Sequence, residues 1–369
     1  MIKGWCPSLH EPMASGDGLL VRVKPSMGEL PAAAALRLAE AAVAFGNGQI
    51  ELTGRGALQF RGMTAESAGR FAELVVGLGL AAADAAVERR RSVLVSPLAE
   101  APVMALARAL EAAVVADDGL AVLPAKFGFG VDGGGVLPLG GGADITLVVE
   151  KRRCLVVPDG ADRAVVVDDP VPAVVRMAHA FLAVAGSERR MRHVVAEVLA
   201  GYETVSFEAT EPMPAIGWLP GGMTGAGLRF GAMDAGVLAG LAELAGGDRV
   251  LRLTPWRAVL VPGAPDEAAL ERLGLIVAAD DPALQVSACV GAPGCASGSV
   301  VTRRLAAGLR PGLDQTIHVS GCDNGCAHPG VAALTFVGRD GVFDVVRDGR
   351  AGDVPVQRGL TPAEVMRFQ

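Results

Sequence analysis

The chain has 369 residues, a formal net charge of −7 and 51% hydrophobic residues, with aromatics at only 4%. That length allows two or more domains and a sizeable core, while the negative charge argues against general nucleic-acid binding and so few aromatics leave no base-stacking platform. The stretch Met1 to Pro7 has no apolar signal core, and the longest apolar runs, such as Ala101 to Ala116, are interrupted by Arg108 and Glu111, so none spans a bilayer; the expectation is a cytoplasmic protein with reduced thiols and neither nucleic acid nor membrane as partner.

Residues 1–17 read as a loop, with Cys6-Pro7, Glu11-Pro12 and Gly16-Asp17-Gly18 as turn signals. Leu19 to Lys24 alternates as a strand does. Pro31 to Phe45 is predicted helical, with Pro31 at its start and Gly46 at its end. Gln49–Thr53 and Ala57–Arg61 follow as strands, then a helix from Thr64, a good N-cap, to Leu78. The next unit runs from the strand Arg91–Pro97 through a helix at 103–115 to strands at Leu123–Gly130 and Asp144–Val148. Helices at 171–185 and 188–200 and the Pro-rich stretch Glu211 to Pro214 lead into a second half.

That second half repeats the first. Gly247 to Thr254 sits over Gly46 to Thr53, and Ala258 to Val261 over Ala57 to Phe60, at an offset of 201 residues. A strand at Leu228–Gly231, a helix at Asp234–Ala245 and a second helix from Pro265 complete the unit. The later unit also recurs, as strands at Leu284–Cys289, Thr316–Cys322 and Ala333–Phe336 and a helix at 298–308. The order is A, B, A′, B′. Basic residues stand in B where cysteines stand in B′, so two halves packed about a pseudo-dyad would bring cysteines and cations to one cleft.

Four of the six cysteines lie in B′, as Cys289-x5-Cys295 and, 26 residues on, Cys322-x3-Cys326. Gly291, Gly294, Gly321 and Gly325 bend these segments at little steric cost. Four thiolates on such turns suit an iron–sulfur cluster, one sulfur per iron. Zinc sites space each pair more closely, a disulfide set suits a secreted chain, and buried structural cysteines are common; these readings stay open beside the cluster. Cys6 and Cys154 stand alone.

The cysteine framework resembles the cluster motif of the nitrite/sulfite reductase superfamily, whose last cysteine lies between the cluster and an iron tetrapyrrole. The N-terminal segment resembles the start of precorrin-3B synthases, a branch of that superfamily. The resemblance implies an α+β, internally duplicated fold, with ferredoxin-like half-domains at 18–82 and 217–280 alternating with a tetrapyrrole- or anion-binding domain at 88–205 and a cluster domain at 284–369. It also implies a [4Fe–4S] cluster on Cys289, Cys295, Cys322 and Cys326, with sirohaem only if the chain is a reductase, and it leaves room for a second, mononuclear iron. The implied partners are precorrin-3A, O2 and an external electron donor, NADH through a reductase or a ferredoxin.

Thr53-Gly54-Arg55 to Gln59, Arg91-Ser92-Val93 and Leu123 to Gly128 are similar to the superfamily's tetrapyrrole and anion contacts. By that similarity Arg55 and Lys126 are catalytic, and Arg55, Gln59, Arg91 and Lys126 hold the substrate's carboxylates, for which arginine offers a bidentate clamp. Gly128 replaces the second of the family's two lysines, removing a charge and opening space. Arg61 reads as solvated by default, and for Arg89 and Arg90 solvation and a ligand role both stay open. Gly128 to Gly133 spells G-x-G-x-x-G, but more glycines follow rather than a helix, so it is no dinucleotide site. His318 and His328 flank the cysteines and read as structural histidines, with iron binding or proton donation as the other reading.

Overall fold

The computed structural model describes residues 7–151, 153–211, 213–312 and 315–368; Cys6 and Pro212 lie outside them. In the first half, β1 (Met13–Ser15) and β2 (Gly18–Val23) form a hairpin, followed by β3 (Glu29–Pro31), α1 (Ala32–Phe45), β4 (Gln49–Leu52), β5 (Leu58–Met63) and α2 (Ala65–Gly77). Next come α3 (Ala85–Arg90), β6 (Val93–Val95), α4 (Ala101–Ala116), β7 (Phe129–Asp132), β8 (Ile145–Val149), β9 (Cys154–Pro158), β10 (Arg163–Val167), α5 (Pro170–Val184), α6 (Val195–Leu199) and β11 (Val205–Ser206). The second half opens with β12 (Gly217–Leu219), β13 (Met223–Gly227), β14 (Ala232–Asp234), α7 (Ala235–Ala245), β15 (Val250–Leu253), β16 (Ala258–Pro262) and α8 (Glu267–Arg272). It closes with β17 (Val286–Ala288), α9 (Arg303–Ala306), β18 (Ile317–Ser320), β19 (Ala332–Arg339), β20 (Val342–Gly349), β21 (Gln357–Leu360) and α10 (Pro362–Val365).

The duplication is explicit in the strand orders. The ferredoxin-like sheets run β1-β2-β5-β4-β14 and β12-β13-β16-β15-β3. Each half thus lends a three-residue strand to the other half's sheet. The exchanged strands leave matching turns, with Met27 at φ 57° and Phe230 at φ 60°. Helices α1 and α7 pack face to face, and both halves share one core that includes Leu38, Phe60, Leu238 and Leu251. The other two sheets match as well: β6, β7 and β8 are parallel with β9 antiparallel, as β17, β18 and β19 are with β20.

Several expectations need correction. The N-terminal segment is not all loop, because Met13–Ser15 pairs with β2. Leu228–Gly231 is not a strand; the left-handed Phe230 turns the chain there, and the strand is β13. The helix expected at 298–308 shrinks to α9, since residues 291–300 loop back on themselves through the Ala292 N–H to Val300 carbonyl bond. The helix at 188–200 is reduced to a short turn, Met191–His193, and α6. The strand expected from Leu123 begins only at Phe129, and β9, β10, β11, β20 and β21 were not foreseen. The cap at Thr64 is present: its hydroxyl accepts from the Ser67 amide, and Ser67 answers to Thr64.

Candidate active site

Parallel strands β17 and β18 deliver Cys289 and Cys322 from their adjacent C-terminal ends, the usual place for a ligand in such a sheet. The Gly321 amide donates to Cys289 Sγ at 3.1 Å. A Cβ at 321 would crowd the Gly291 Cα at 3.1 Å and touch Cys289 Sγ at 3.5 Å, so glycine lets the two cysteine segments meet without a shift of the Gly291 backbone. Thr302 Oγ1 donates to the Cys289 carbonyl, the Cys295 amide to Gly291, and Ser320 Oγ to the Cys322 carbonyl. All four thiols line one cavity of about 340 Å³.

The opposite wall of that cavity is cationic. It holds Arg22 from β2, Gln59 and Arg61 from β5, Glu51 from β4, Arg257 from the β15–β16 turn and Arg303 from α9. Arg61 is 3% exposed and binds Asp17, Glu51, Ser15 and the Gly294 carbonyl. Burial works against its charge, but Asp17 and Glu51 outweigh that and raise its pKa. Burial likewise pushes the Glu51 carboxyl up, yet Arg303 and Arg61 hold it below the ordinary range. Gln59 accepts from Arg22 at 2.8 Å and donates to Glu51 at 2.6 Å. The Nε groups of Arg22 and Arg303 are buried and meet no acceptor among the described residues.

The donor set fits an iron–sulfur cluster. Among the described residues no three His, Cys, Asp or Glu side chains converge as a single ion would require, while the four cysteines line one cavity. Burial raises the Cys326 thiol pKa, and so do Cys322, Cys289 and Cys295 in turn. Burial also raises Cys322, with Cys295 and Cys289 adding to it. Thiolates that oppose one another in this way need cationic charge between them, which cluster iron supplies. Backbone N–H donation to sulfur and the unanswered arginine donors suit the same group. Cys326 is the exposed member, at the rim. Cys154 stands on β9 away from this cavity, its thiol raised by burial alone.

The residues singled out in the sequence separate into two places. Gln59 lines the cavity. Arg55 lies one turn further on, against Ser92 and Gly128: a Cβ added at 128 would sit 3.6 Å from Arg55 Nη1. The space opened by Gly128 therefore lies against the Arg55 guanidinium. Arg91 does not reach the cavity, because its guanidinium binds Glu88 at 2.6 Å and Ser26 at 2.5 Å, with Glu111 at 3.7 Å. Lys126 is exposed on the turn before β7 and is also outside the cavity lining. The expectation that B supplies the cavity's cations is thus corrected: they come from the first half's sheet, from Arg257 and from Arg303.

Arg22, Arg257, Arg303 and the burial of Arg61 were missed. The alternation of β2 could have found Arg22, since Val21 and Val23 take the core face. Lys24 follows on the Arg22 side; burial lowers its pKa to about 8, against Glu111 and with Arg55. His318 is fully buried with both ring nitrogens unpartnered. Burial, then His328 and Arg257, lower its pKa to about 4. His328 lies edge-on to it at 5.8 Å and bonds the Val331 carbonyl. A larger hollow of about 930 Å³ lies beside the Gly133–Gly135 loop, but Asp132, Glu150 and Asp159 line it and no cysteine does. The chemistry-bearing groups favour the smaller cavity. β7 runs through the G-x-G-x-x-G string, with a loop after it.

Comparison with known proteins agrees with this architecture. Residues 11–75 match the family described as Nitrite/Sulfite reductase ferredoxin-like half domain. A Precorrin-3B synthase from Sinorhizobium sp is 34% identical over 390 positions, covering 96% of this chain and 85% of that protein. Sulfite reductase [ferredoxin] 2 of Mycolicibacterium paratuberculosis is 32% identical over 136 residues, 32% of this chain and 23% of that protein. The solved NirA protein of Mycobacterium tuberculosis superposes with a TM-score of 0.65 at 19% identity, over 95% of this chain and 79% of that one. The shared fold is that of the nitrite/sulfite reductases.

Proposed function

The chain belongs to the precorrin-3B synthase family, and on that premise we propose that it hydroxylates precorrin-3A at C20 with O2, with closure of a γ-lactone from the ring-A acetate. It is an oxidoreductase with a role in cobalamin biosynthesis. In this reading one oxygen atom enters the substrate and the other leaves as water, with two electrons and two protons supplied from outside. The donor is NADH through a reductase, or a ferredoxin. No helix among the described residues is long and apolar enough to cross a membrane.

One observation carries the reading: four thiols and a wall of arginines, two with unanswered buried donors, share one cavity. Cys289, Cys295, Cys322 and Cys326 would hold a [4Fe–4S] cluster, which when bound supplies single-electron transfer. In this reading Arg22 and Gln59 meet an anionic macrocycle from the cavity wall, Arg55 lies beyond Gly54, and Lys126 reaches it from an exposed turn outside the cavity lining. These donors bind and orient peripheral carboxylates, which arginine does through paired hydrogen bonds. Arg91 holds α3 against α4 and the Ser26 turn, and so places Arg55's surroundings. Gly128 removes a cation from the ring's approach, which suits a substrate that must leave after each turnover better than a permanent cofactor. His318 and His328 lack a third ligand, so a second, mononuclear iron would need donors from the substrate or from outside the described residues.

The test is anaerobic purification with iron, sulfide and tetrapyrrole counts, then turnover with precorrin-3A, reductant and labelled O2. The expected result is a cluster, no stoichiometric sirohaem, and one labelled atom in the product. Cys→Ala at 289, 295, 322 or 326 should remove the broad visible absorption and labile sulfide, and Cys154→Ala should leave both. Stoichiometric sirohaem with sulfite or nitrite turnover would replace this reading with a reductase. A cluster with no tetrapyrrole binding and no turnover would leave an electron carrier or sensor.

A further inference from the structure

The turn between β15 and β16 holds an arginine where its repeat holds a glycine. Arg257 has φ 58°, and Gly56, 201 residues earlier, has φ 64°. A side chain in this left-handed region costs on the order of 1–3 kcal/mol, which persists only where the surroundings impose it. Here the surroundings are the cysteine segments. Arg257 Nη1 donates to Ser287 Oγ at 3.0 Å, and Nη2 donates to the Ala327 carbonyl. Ser287 precedes Cys289 by two residues, and Ala327 follows Cys326. One side chain from the second ferredoxin-like sheet therefore ties together the segments carrying the first and last thiols.

Among the described residues its charge has no acidic partner. Both acceptors are neutral, burial and then the neighbouring Arg303 lower its pKa, and no carboxylate offsets them. Two of the cavity's other cations differ in this respect: Arg61 pairs with Asp17 and Glu51, and Arg303 pairs with Glu51. A desolvated cation with only neutral partners is unfavourable unless an anionic group shares its space. Arg257 lines the same cavity as the four thiols.

We infer that Arg257 is a positioning residue that clamps the Cys326 turn to the Cys289 strand and raises the reduction potential of the cluster held there. This rests on the cluster reading above. Reduction adds one negative charge to a cluster. A fixed cation at its edge, in a medium less polar than water, stabilises the reduced form more than the oxidised one. The hydrogen bonds to Ser287 and Ala327 keep the guanidinium from turning away to solvent.

The experiment compares the wild type with R257M, R257Q, R257K and S287A, all purified anaerobically. Iron and sulfide are counted, the potential is titrated spectroscopically, and cluster loss to a chelator is timed. R257M should hold a cluster with a more negative potential and lose it faster. R257K should keep a potential near the wild-type value but also lose the cluster faster, because an ammonium cannot span both acceptors as the planar fork does. S287A should change the loss rate and leave the potential. If R257M retains no cluster, R257Q, neutral but still a donor, should give the negative shift. A wild-type cluster whose potential is unchanged in R257M, or in R257Q where R257M retains none, overturns the inference alone. A wild type without iron and sulfide removes the cluster reading and the inference with it.

Discussion

In the first ferredoxin-like half, the outward face of the sheet carries Arg22, Gln59, Arg61 and Glu51. At the same register positions the second half carries Gly225, Leu260, Pro262 and Arg252. The backbones agree down to the left-handed turns, but the faces meet different neighbours. The first meets the cysteine segments, with Arg61 on the Gly294 carbonyl and Arg303 on Glu51. The second is closed by its own chain: Leu260 and Ala258 pack with Ile216, Leu219 and Leu137. A Cβ at Gly225 would stand 2.1 Å from the Ala215 carbonyl oxygen. One duplicated sheet thus became a wall of the site and its copy a plain packing surface, which frees the copy's turn residue, Arg257, to serve the cysteines.

The sharpest way to break this contrast is to make the first face apolar. Arg61→Leu removes a 3%-exposed guanidinium, which leaves Asp17 with Asn47 and Glu51 with Arg303 and Gln59. The expected loss is about 3–5 kcal/mol, the scale for breaking a buried pair, measured by denaturant unfolding, with detachment of the 13–18 hairpin from the Gly294 loop. An unchanged midpoint would mean that the wall is not held by this arginine.

The cysteine sheet offers the same contrast, because His318 occupies the register position that Gly130 holds in the other sheet. Its pKa falls from 6.5 to about 4 through burial. A depressed folded value means that the unfolded chain binds the proton more readily. The stability is therefore whole above pH 6.5 and declines as pH falls toward about 4. His318→Phe should flatten that decline, which amounts to about 3 kcal/mol across the window, in unfolding of the reduced, cluster-free protein. A variant curve parallel to wild type would show that another group titrates.

A reciprocal exchange is milder. Gln59→Leu leaves Arg22 and Glu51 without their amide partner, and Leu260→Gln places an amide among apolar side chains. Each should cost roughly 1–3 kcal/mol, the scale of an unanswered buried polar group. Only Gln59→Leu should also weaken substrate binding, read by titration with the tetrapyrrole. The smallest effect lies at the helix starts. Thr64→Ala removes the α2 capping box for about 1 kcal/mol, and Asp266→Ala, at the shorter α8, should cost no more.

The four cysteines, the glycines beside them and the 201-residue offset were legible in the chain itself. So were α1, α2, α4, α5 and α7, and half the strands of the two ferredoxin-like sheets, because capping, alternation and turn residues act over a few positions. The resemblance carried by the cysteine spacing placed the chain in its superfamily for the same local reason. Which arginines face those cysteines was decided by tertiary structure alone. Arg55, Arg61 and Arg91 look alike in sequence, yet Arg61 is buried against Gly294, Arg91 is held by Glu88 and Ser26, and Arg55 lies against Gly128. Arg257 and Arg303 carry no local mark, since each acquires its role from a partner on another sheet or helix. The exchange of β3 and β14 between halves is equally invisible locally: a three-residue strand has too little pattern to name its partner, and only the shared core beneath α1 and α7 selects the sheet it joins.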